Sequence, residues 1–299
     1  NDVWITSGSG LSRINRITGE KTIWNQLNSD MPDYFSNVLN VDSSGGIWLG
    51  PGDHPNSPLI RFNGNHFEEI PEIDGKIMND VFDIVTTPDG KVWILARTEG
   101  TTLHVFDQSQ FTRISPPLGY TYHRANNDIT FGISMNNHVW VVLHDPITEI
   151  YLAGEFDGQQ WKLHDLSPFD YPPDDGVAWA CDVQGNMYML VKHFDQVELL
   201  RYNGSTWSEN LVPLAARKTI SIHQPLFADA QQRIFLSLDN NTLLQYDAGV
   251  WSTISLQESG LPNGIPGQFQ IDQNGQWWMI HDRREWLYRL PALYQFTGT

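Results

Sequence analysis

An aromatic residue returns in this chain every 43 to 48 residues: Trp4, Trp48, Trp93, Trp140, Tyr188, Phe235 and Trp278. Each stands inside a short apolar run. A fixed spacing of that size, with room for four short strands per period, is what a β-propeller leaves in its sequence, one anchor per blade. The spacing predicts an all-β chain: a seven-bladed β-propeller of four-stranded antiparallel blades, forming one domain over residues 1–299. No linker rich in Pro, Gly or Ser interrupts the period, so the repeat outweighs the two domains that length alone would allow.

The copies share more than the anchor. Six positions before it stand Asp42, Asp182, Asp229 and Asp272, with Thr87 and Ser134 in the other two copies that have this segment. The stretches between, such as Ser43-Ser44-Gly45-Gly46 and Val183-Gln184-Gly185-Asn186, combine Asp, Asn and Gly as tight turns do. Each anchor is therefore expected on the second strand of a hairpin. Downstream, Arg61-Phe62-Asn63-Gly64 with Phe67, Glu155-Phe156-Asp157-Gly158 with Trp161, and Arg201-Tyr202-Asn203-Gly204 with Trp207 mark a second hairpin with an aromatic on each arm. Phe106 with Phe111 and Tyr246 with Trp251 keep the spacing without the Gly. Four strands per repeat follow, here a, b, c and d. Strand a, for example Val81 to Val85 and Val177 to Cys181, is expected to be the most buried because its apolar residues run on with little alternation. Large aromatics on b and d are expected to fill the wedge between neighbouring blades.

The first copy has no segment before Trp4, which leaves the first blade without its innermost strand in this sequence. The tail from Leu293 to Phe296 is expected to be strand d of the last blade. No run approaches the roughly 18 apolar residues that cross a bilayer. The chain opens at Asn1 directly into a strand, as a processed or excised protein would. With 35 acidic against 18 basic residues and a net charge of −17, the surface repels phosphate backbones and anionic lipid, which argues against nucleic-acid partners and membrane-surface binding. The one cysteine, Cys181, can form no internal disulfide and is expected as a buried inert thiol.

Segments such as Asp42-Ser43-Ser44-Gly45-Gly46-Ile47-Trp48-Leu49-Gly50 and Gly10-Leu11-Ser12-Arg13-Ile14 resemble the two-component-regulator propeller repeat, which carries an Asp-x-x-Gly-x-Ile-Trp-Ile-Gly core followed by a Gly-Leu-x-Arg-Phe segment. The resemblance is close in the first two copies and spans the chain at the level of period and turns. It implies a bacterial seven-bladed propeller found outside the cytoplasm, as the sensing part of a receptor or as a secreted or surface protein. Because that motif is structural, it carries over no catalytic residue. A second resemblance, to the streptogramin-lyase type of propeller, implies loop histidines with a magnesium ion. Ser221-Ile222-His223-Gln224-Pro225 is the nearest match to that type's Pro-His-Gly-Ile entry.

In a propeller the d-to-a and b-to-c loops emerge on one face, where ligands bind without disturbing the blades. The residues expected on that face are Tyr34, His54, Arg97, Tyr120, Tyr122, His123, Arg124, His144, Tyr171 and His281. Aromatics and Arg are the side chains that most often anchor interfaces. The insertion from Ser115 to Asn127 places Tyr120, Tyr122, His123 and Arg124 within five positions of one another. Three sequential His-Asp pairs, at 144, 164 and 281, hint at metal ligands or a proton relay. Neighbours in a strand point to opposite sides, however, so such a pair does not readily form one site. No Gly-x-Ser-x-Gly elbow, phosphate-binding Gly loop, zinc-type His-x-x-x-His helix or dense Asp-x-Asp calcium loop is present. The expectation is thus a non-enzymatic binding module with no catalytic residues, metal or cofactor, recognising a protein segment or small ligand or packing in a larger assembly. A glycan-binding lectin and a metal-assisted lyase or hydrolase using His54, His123, His144 and His281 are the alternatives.

Overall fold

The computed structural model describes residues 2–7, 10–15, 17–32, 36–51, 58–78, 80–98, 100–107, 109–123, 131–169, 177–193, 196–213, 226–238, 242–255, 265–271, 276–283 and 290–297. The side chains of 7, 36, 37, 51, 192, 193, 196, 211 and 265 onward are not described. The chain divides into two compact units, Asn1–Tyr122 and His123–Thr299.

In the first unit, β1 (Asp2–Ser7), β2 (Gly10–Asn15) and β3 (Lys21–Trp24) form a three-stranded antiparallel sheet. A four-stranded sheet follows, made of β4 (Ser36–Val41), β5 (Ile47–Pro51), β6 (Leu59–Phe62) and β7 (Phe67–Ile70). A two-stranded hairpin, β8 (Glu72–Ile73) with β9 (Lys76–Ile77), comes next. The third sheet is β10 (Asp80–Thr86), β11 (Val92–Arg97), β12 (Thr101–Asp107) and β13 (Gln110–Ile114), and β14 (Thr121–Tyr122) closes the unit.

The second unit repeats the meander. Its first sheet contains β15 (Gly132–Ile133), β16 (Val139–Asp145), β17 (Ile150–Phe156) and β18 (Trp161–Asp165). Then come β19 (Val177–Cys181), β20 (Met187–His193), β21 (Gln196–Tyr202) and β22 (Trp207–Leu211), followed by β23 (Phe227–Ala228), β24 (Ile234–Leu238), β25 (Thr242–Asp247) and β26 (Val250–Ser255). The last sheet is β27 (Ile265–Ile271), β28 (Gln276–Arg283) and β29 (Leu290–Thr297). The helical element among the described residues is a single turn, Ser167–Phe169. The chain is all-β, and each repeat is its own antiparallel sheet.

Two expectations are corrected. Strand b, not strand a, is the most buried in the second, third and sixth sheets, whereas in the fifth sheet strand a (β19) is buried from Val177 to Ala180 as expected. Ile47 to Leu49, Val92 to Ala96 and Ile234 to Leu238 are buried throughout, whereas β4 and β10 are largely half-buried. Strand b is hydrogen-bonded along both edges and carries the anchor into the neighbouring sheet, which accounts for its deeper burial. The C-terminal tail is also not strand d: β29 pairs directly with β28, Trp278 opposite Gln295, and so occupies the third position.

The turn between a and b explains the recurring Asp. The carboxylate of Asp42 accepts hydrogen bonds from the Ser44 and Gly46 amides at 2.9 and 2.8 Å. Its other oxygen takes the anchor's indole, Trp48 Nε1, at 3.0 Å and Arg61 at 2.9 Å. Asp182 and Asp229 accept the equivalent amides of Gln184, Asn186, Gln231 and Arg233. What differs is the donor to the second oxygen. In those two copies the residue at the position of Gly46 supplies it, from the Asn186 amide and the Arg233 guanidinium. A Cβ at Gly46 would lie 2.6 Å from Asp42 Oδ2 and 3.1 Å from Arg61 Nε. Glycine there opens the space through which Arg61 reaches in from strand c.

Within each unit an anchor packs onto the aromatic pair of the following repeat. Trp48 meets Phe106 at 5.0 Å and Phe111 at 6.1 Å, and Trp140 meets Tyr202 at 5.4 Å and Trp207 at 6.0 Å. Within the c–d hairpins of the second to sixth sheets the two aromatics stand opposite and in contact, as with Phe62 and Phe67 at 4.2 Å and Tyr246 and Trp251 at 4.8 Å. The turn between them is four residues long: Asn63, Asp157 and Asn203 each accept two amide hydrogens from residues two and three positions on. Burying one Trp in this way removes on the order of 150–250 Å² from water, roughly 4–6 kcal/mol of transfer free energy before entropy is counted.

Where Ser134 replaces the Asp, Trp140 Nε1 is buried with no hydrogen-bond partner among the described residues. Ser134→Asp is expected to supply the missing acceptor and raise stability by about 1 kcal/mol. Asp42→Ala should lower it by about 3 kcal/mol, because a buried indole N–H, a guanidinium and two amides lose their acceptor. Urea unfolding monitored by tryptophan fluorescence checks both.

Candidate functional site

In an antiparallel meander the b-to-c hairpins and the d-to-a connections leave from the same end of each sheet, so that end gathers the variable segments. In the first unit it carries Arg97, the last residue of β11, directly opposite Asp80 in register. Their side chains form an ion pair at 3.0 Å, and the guanidinium lies 5.6 Å from the centre of the Phe82 ring. Arg97 is thus a half-buried charge with its direction set by a carboxylate and an aromatic face.

In the second unit the same end holds two of the expected histidines side by side. His123 is fixed by its amide, which donates to Val142 O at 2.9 Å. His144, at the end of β16, stacks on Tyr151 with ring centres 4.6 Å apart, and Nε2 lies 2.9 Å from Glu149 Oε2. His123 meets the Tyr151 ring edge-on at 4.7 Å and lies 6.0 Å from His144. Tyr151 was missed by the sequence reading, although it stands opposite His144 across the hairpin; the signal was available in the short turn 146–149.

That turn is rigid. Asp145 accepts hydrogen bonds from the Ile147 and Thr148 amides and the Thr148 hydroxyl. The hydroxyl and the Ile147 amide hold its carboxyl below the ordinary range. Glu149 adopts φ 56° to close the turn, and Ile147 is left 88% exposed at its tip. Asp145 therefore serves its own turn, and the sequential His144-Asp145 pair does not act as one unit.

Of the other expected residues, Tyr120 is half-buried and its amide donates to Pro117 O at 3.0 Å. Tyr122 does not lie on the surface: it is 7% exposed, and its hydroxyl donates to Ile114 O at 2.7 Å. Burial pushes its phenol above the usual range. His281 lies in β28 opposite Pro266 and Ala292, and its side chain is not described. Tyr34, His54, Arg124 and Tyr171 lie outside the described residues.

A second polar cluster, at the opposite end of the same sheet, was not foreseen. Glu155 bridges His138 Nδ1 at 2.6 Å and His164 Nε2 at 2.9 Å, with Lys162 Nζ at 3.7 Å. Burial pushes Glu155 up, but the two imidazoles and the Lys162 charge outweigh it and hold the carboxyl low. Lys162 donates to the Tyr202 hydroxyl at 2.7 Å, and His164 is buried flat against Trp140 at 4.8 Å. His164 thus pairs with Glu155 rather than its neighbour Asp165, which caps Ser167 instead. Among the described residues no group of three or more His, Cys, Asp or Glu is arranged to hold a metal ion. None of the described helices is long and apolar enough to cross a membrane.

These sheets and their loop end define the class of protein: a β-propeller. Solved structures agree at the level of fold. A catalytically inactive virginiamycin B lyase from Staphylococcus aureus, with quinupristin, shares 13% identity over 93% of this chain and 87% of its own, with a TM-score of 0.64. The protein YCF48 bound to D1 peptide shares 14% identity over 100% and 90%, also with a TM-score of 0.64. A gluconolactonase from Xanthomonas campestris shares 12% over 97% and 79%, with a TM-score of 0.51. No family model matches the chain, and no curated protein matches it in sequence. At these identities the likeness establishes the fold and nothing finer.

Cys181 is a free thiol packed at the edge of a core cluster, and burial pushes it up to about 11. The folded protein at neutral pH is expected to react with a thiol-specific reagent roughly 100-fold more slowly than an ordinary cysteine, since the thiolate is the reacting form. Denaturant should restore the normal rate in the same assay.

Proposed function

We propose that this chain is a non-enzymatic recognition module that binds a protein segment or small ligand at the loop ends of its sheets. The supporting observation is the trio His123, Tyr151 and His144. His123 and His144 are held there by stacking on Tyr151, itself packed on the edge of a core cluster, and by a main-chain hydrogen bond, beside the rigid turn that presents Ile147. Groups already ordered before contact lose little entropy on binding. Arg97, held by Asp80 and Phe82, offers a second directed group suited to a carboxylate. The propeller YCF48 has been seen with a peptide bound, a precedent for this use of the fold.

The seven repeat sheets are taken as seven blades of one domain over residues 1–299. The resemblance to two-component-regulator propeller repeats supports an extracytoplasmic bacterial sensor or surface role, alone or within a larger polypeptide. A second reading is favoured by the closeness of His123 and His144: a metal-assisted lyase or hydrolase, which the lyase and gluconolactonase folds make reasonable.

An array of short synthetic peptides with and without Asp, Glu or a free C-terminal carboxylate, read beside a glycan array and metal analysis, separates these options. Peptide binding by the metal-free protein is the expected result. His123→Ala with His144→Ala, and separately Arg97→Ala, should each weaken the best peptide about tenfold or more, as interface anchors do. Stability should stay within about 1 kcal/mol of wild type. Tight binding of Zn²⁺, Mg²⁺ or Mn²⁺ that is lost in the double variant would favour the enzyme reading instead.

A further inference from the structure

His104 is 1% exposed in the middle of β12, in a protein whose other described histidines lie at loop or turn ends or contact carboxylates. It stands opposite Ile94 on β11 and Arg113 on β13, and cross-strand partners share a face. Apart from Thr102 and the exposed Arg113, that face is apolar. Ile94 belongs to one cluster with Ile84, Val92 and Ala96 of its own sheet and with Trp48 and Leu59 of the preceding sheet. Ile73 and Met78, which flank the β8–β9 hairpin turn, complete the same cluster at 1% exposure each. The imidazole is therefore seated between two sheets and beside the hairpin that joins them.

Its hydrogen bonding fixes its proton. Thr102 Oγ1 lies 3.2 Å from Ala96 O and 3.0 Å from His104 Nε2. With the Thr102 hydrogen donated to Ala96 O, the Thr102 oxygen accepts from Nε2–H, which is the tautomer that makes both contacts with the one hydroxyl hydrogen. Nδ1 is then a bare lone pair, and it is buried with no hydrogen-bond partner among the described residues. A second proton on the ring would place an unpaired N–H and a positive charge inside an apolar contact, which is costly.

We propose that His104 is an acid-responsive latch: in its neutral form it lets the β8–β9 hairpin and the second sheet close onto the third, and taking up a proton on Nδ1 loosens that contact. The charged groups facing it are Asp74 in the hairpin turn, which favours the proton, and Arg113 across the strand, which opposes it. Its neighbours on the same face of β12 are Thr102 and Phe106, with Ala96, Ile94 and Val92 opposite on β11. Over Phe106, farther along, lies Arg61, paired with Asp42. Burial dominates and lowers the imidazole from 6.5 to about 4. Because the folded state holds this proton less readily than the unfolded chain, the stability contributed is complete above pH 6.5. It falls as the pH drops from 6.5 to about 4 and is constant below. The hairpin leads directly into Asp80, the partner of Arg97, so loosening it would disturb that end of the sheet. The latch itself does not depend on what binds there.

The test uses the intact chain labelled with ¹⁵N-histidine. The expected spectrum at pH 7.5 shows His104 with Nε2 protonated and Nδ1 bare, titrating below pH 5. Hydrogen exchange should show the amides of residues 72–78 opening about tenfold more per pH unit between 6.5 and 4.5, once intrinsic rates are corrected. That acceleration should be absent in His104→Gln, whose amide can still donate to Thr102. A titration near 6.5, an Nδ1–H tautomer, or the same acceleration in His104→Gln would each overturn the proposal. If His104→Gln does not fold, the wild-type tautomer and titration decide by themselves.

Discussion

The interaction on which the rest depends is, within each unit, the seating of an anchor aromatic against the aromatic pair of the following repeat. A four-stranded meander alone has two apolar faces and too little surface to bury them, so a repeat of this kind is stable only against neighbours. Trp48 on Phe106 and Phe111, and Trp140 on Tyr202 and Trp207, are that contact in the two units. The turn aspartate acts through the anchor. Asp42 ties the indole of Trp48 to the hairpin that carries it and to Arg61 on strand c, so turn, anchor and third strand share one carboxylate. Asp182 does the same for Tyr188 through its hydroxyl, at 3.3 Å.

The same constraint separates structural polar groups from those with freedom to act. His164 looks reactive in the sequence, yet it lies flat on Trp140 with its nitrogen on Glu155 and belongs to the packing between sheets. Tyr122 is bonded to a main-chain carbonyl under its loop. His123 and His144, and the Arg97 and Asp80 pair, remain at the ends of strands, away from the anchors, while Tyr151 supports the two histidines from the edge of the core cluster. His104 is intermediate, a titratable group inside the inter-sheet contact, where packing and protonation oppose each other.

Much of this was legible in the residues. The 43-to-48-residue spacing located every b strand, because a seat for a large aromatic recurs once per blade and tolerates few substitutes. The Asp six positions before the anchor was readable as a turn residue. Its bond to the anchor's own polar atom was not, since that depends on the hairpin bringing positions 42 and 48 together. Strand a was expected to be deepest because its run is apolar, which holds for β19 but not for β4 and β10, where depth follows how many sides an element has covered and strand b is covered on more. The place of β29 was misjudged because an interval between residues does not say which edge a strand joins.

Sequence by itself determined the period, the hairpins and the all-β class, since these are local matters of turn chemistry and apolar spacing. Only the tertiary structure decided which polar residues meet. His123 lies more than twenty positions from His144, and Glu155 bridges His138 and His164 from a different strand than either. Such contacts follow from register and from the packing of one strand or loop on another, and neither is encoded in the spacing of residues along a single strand.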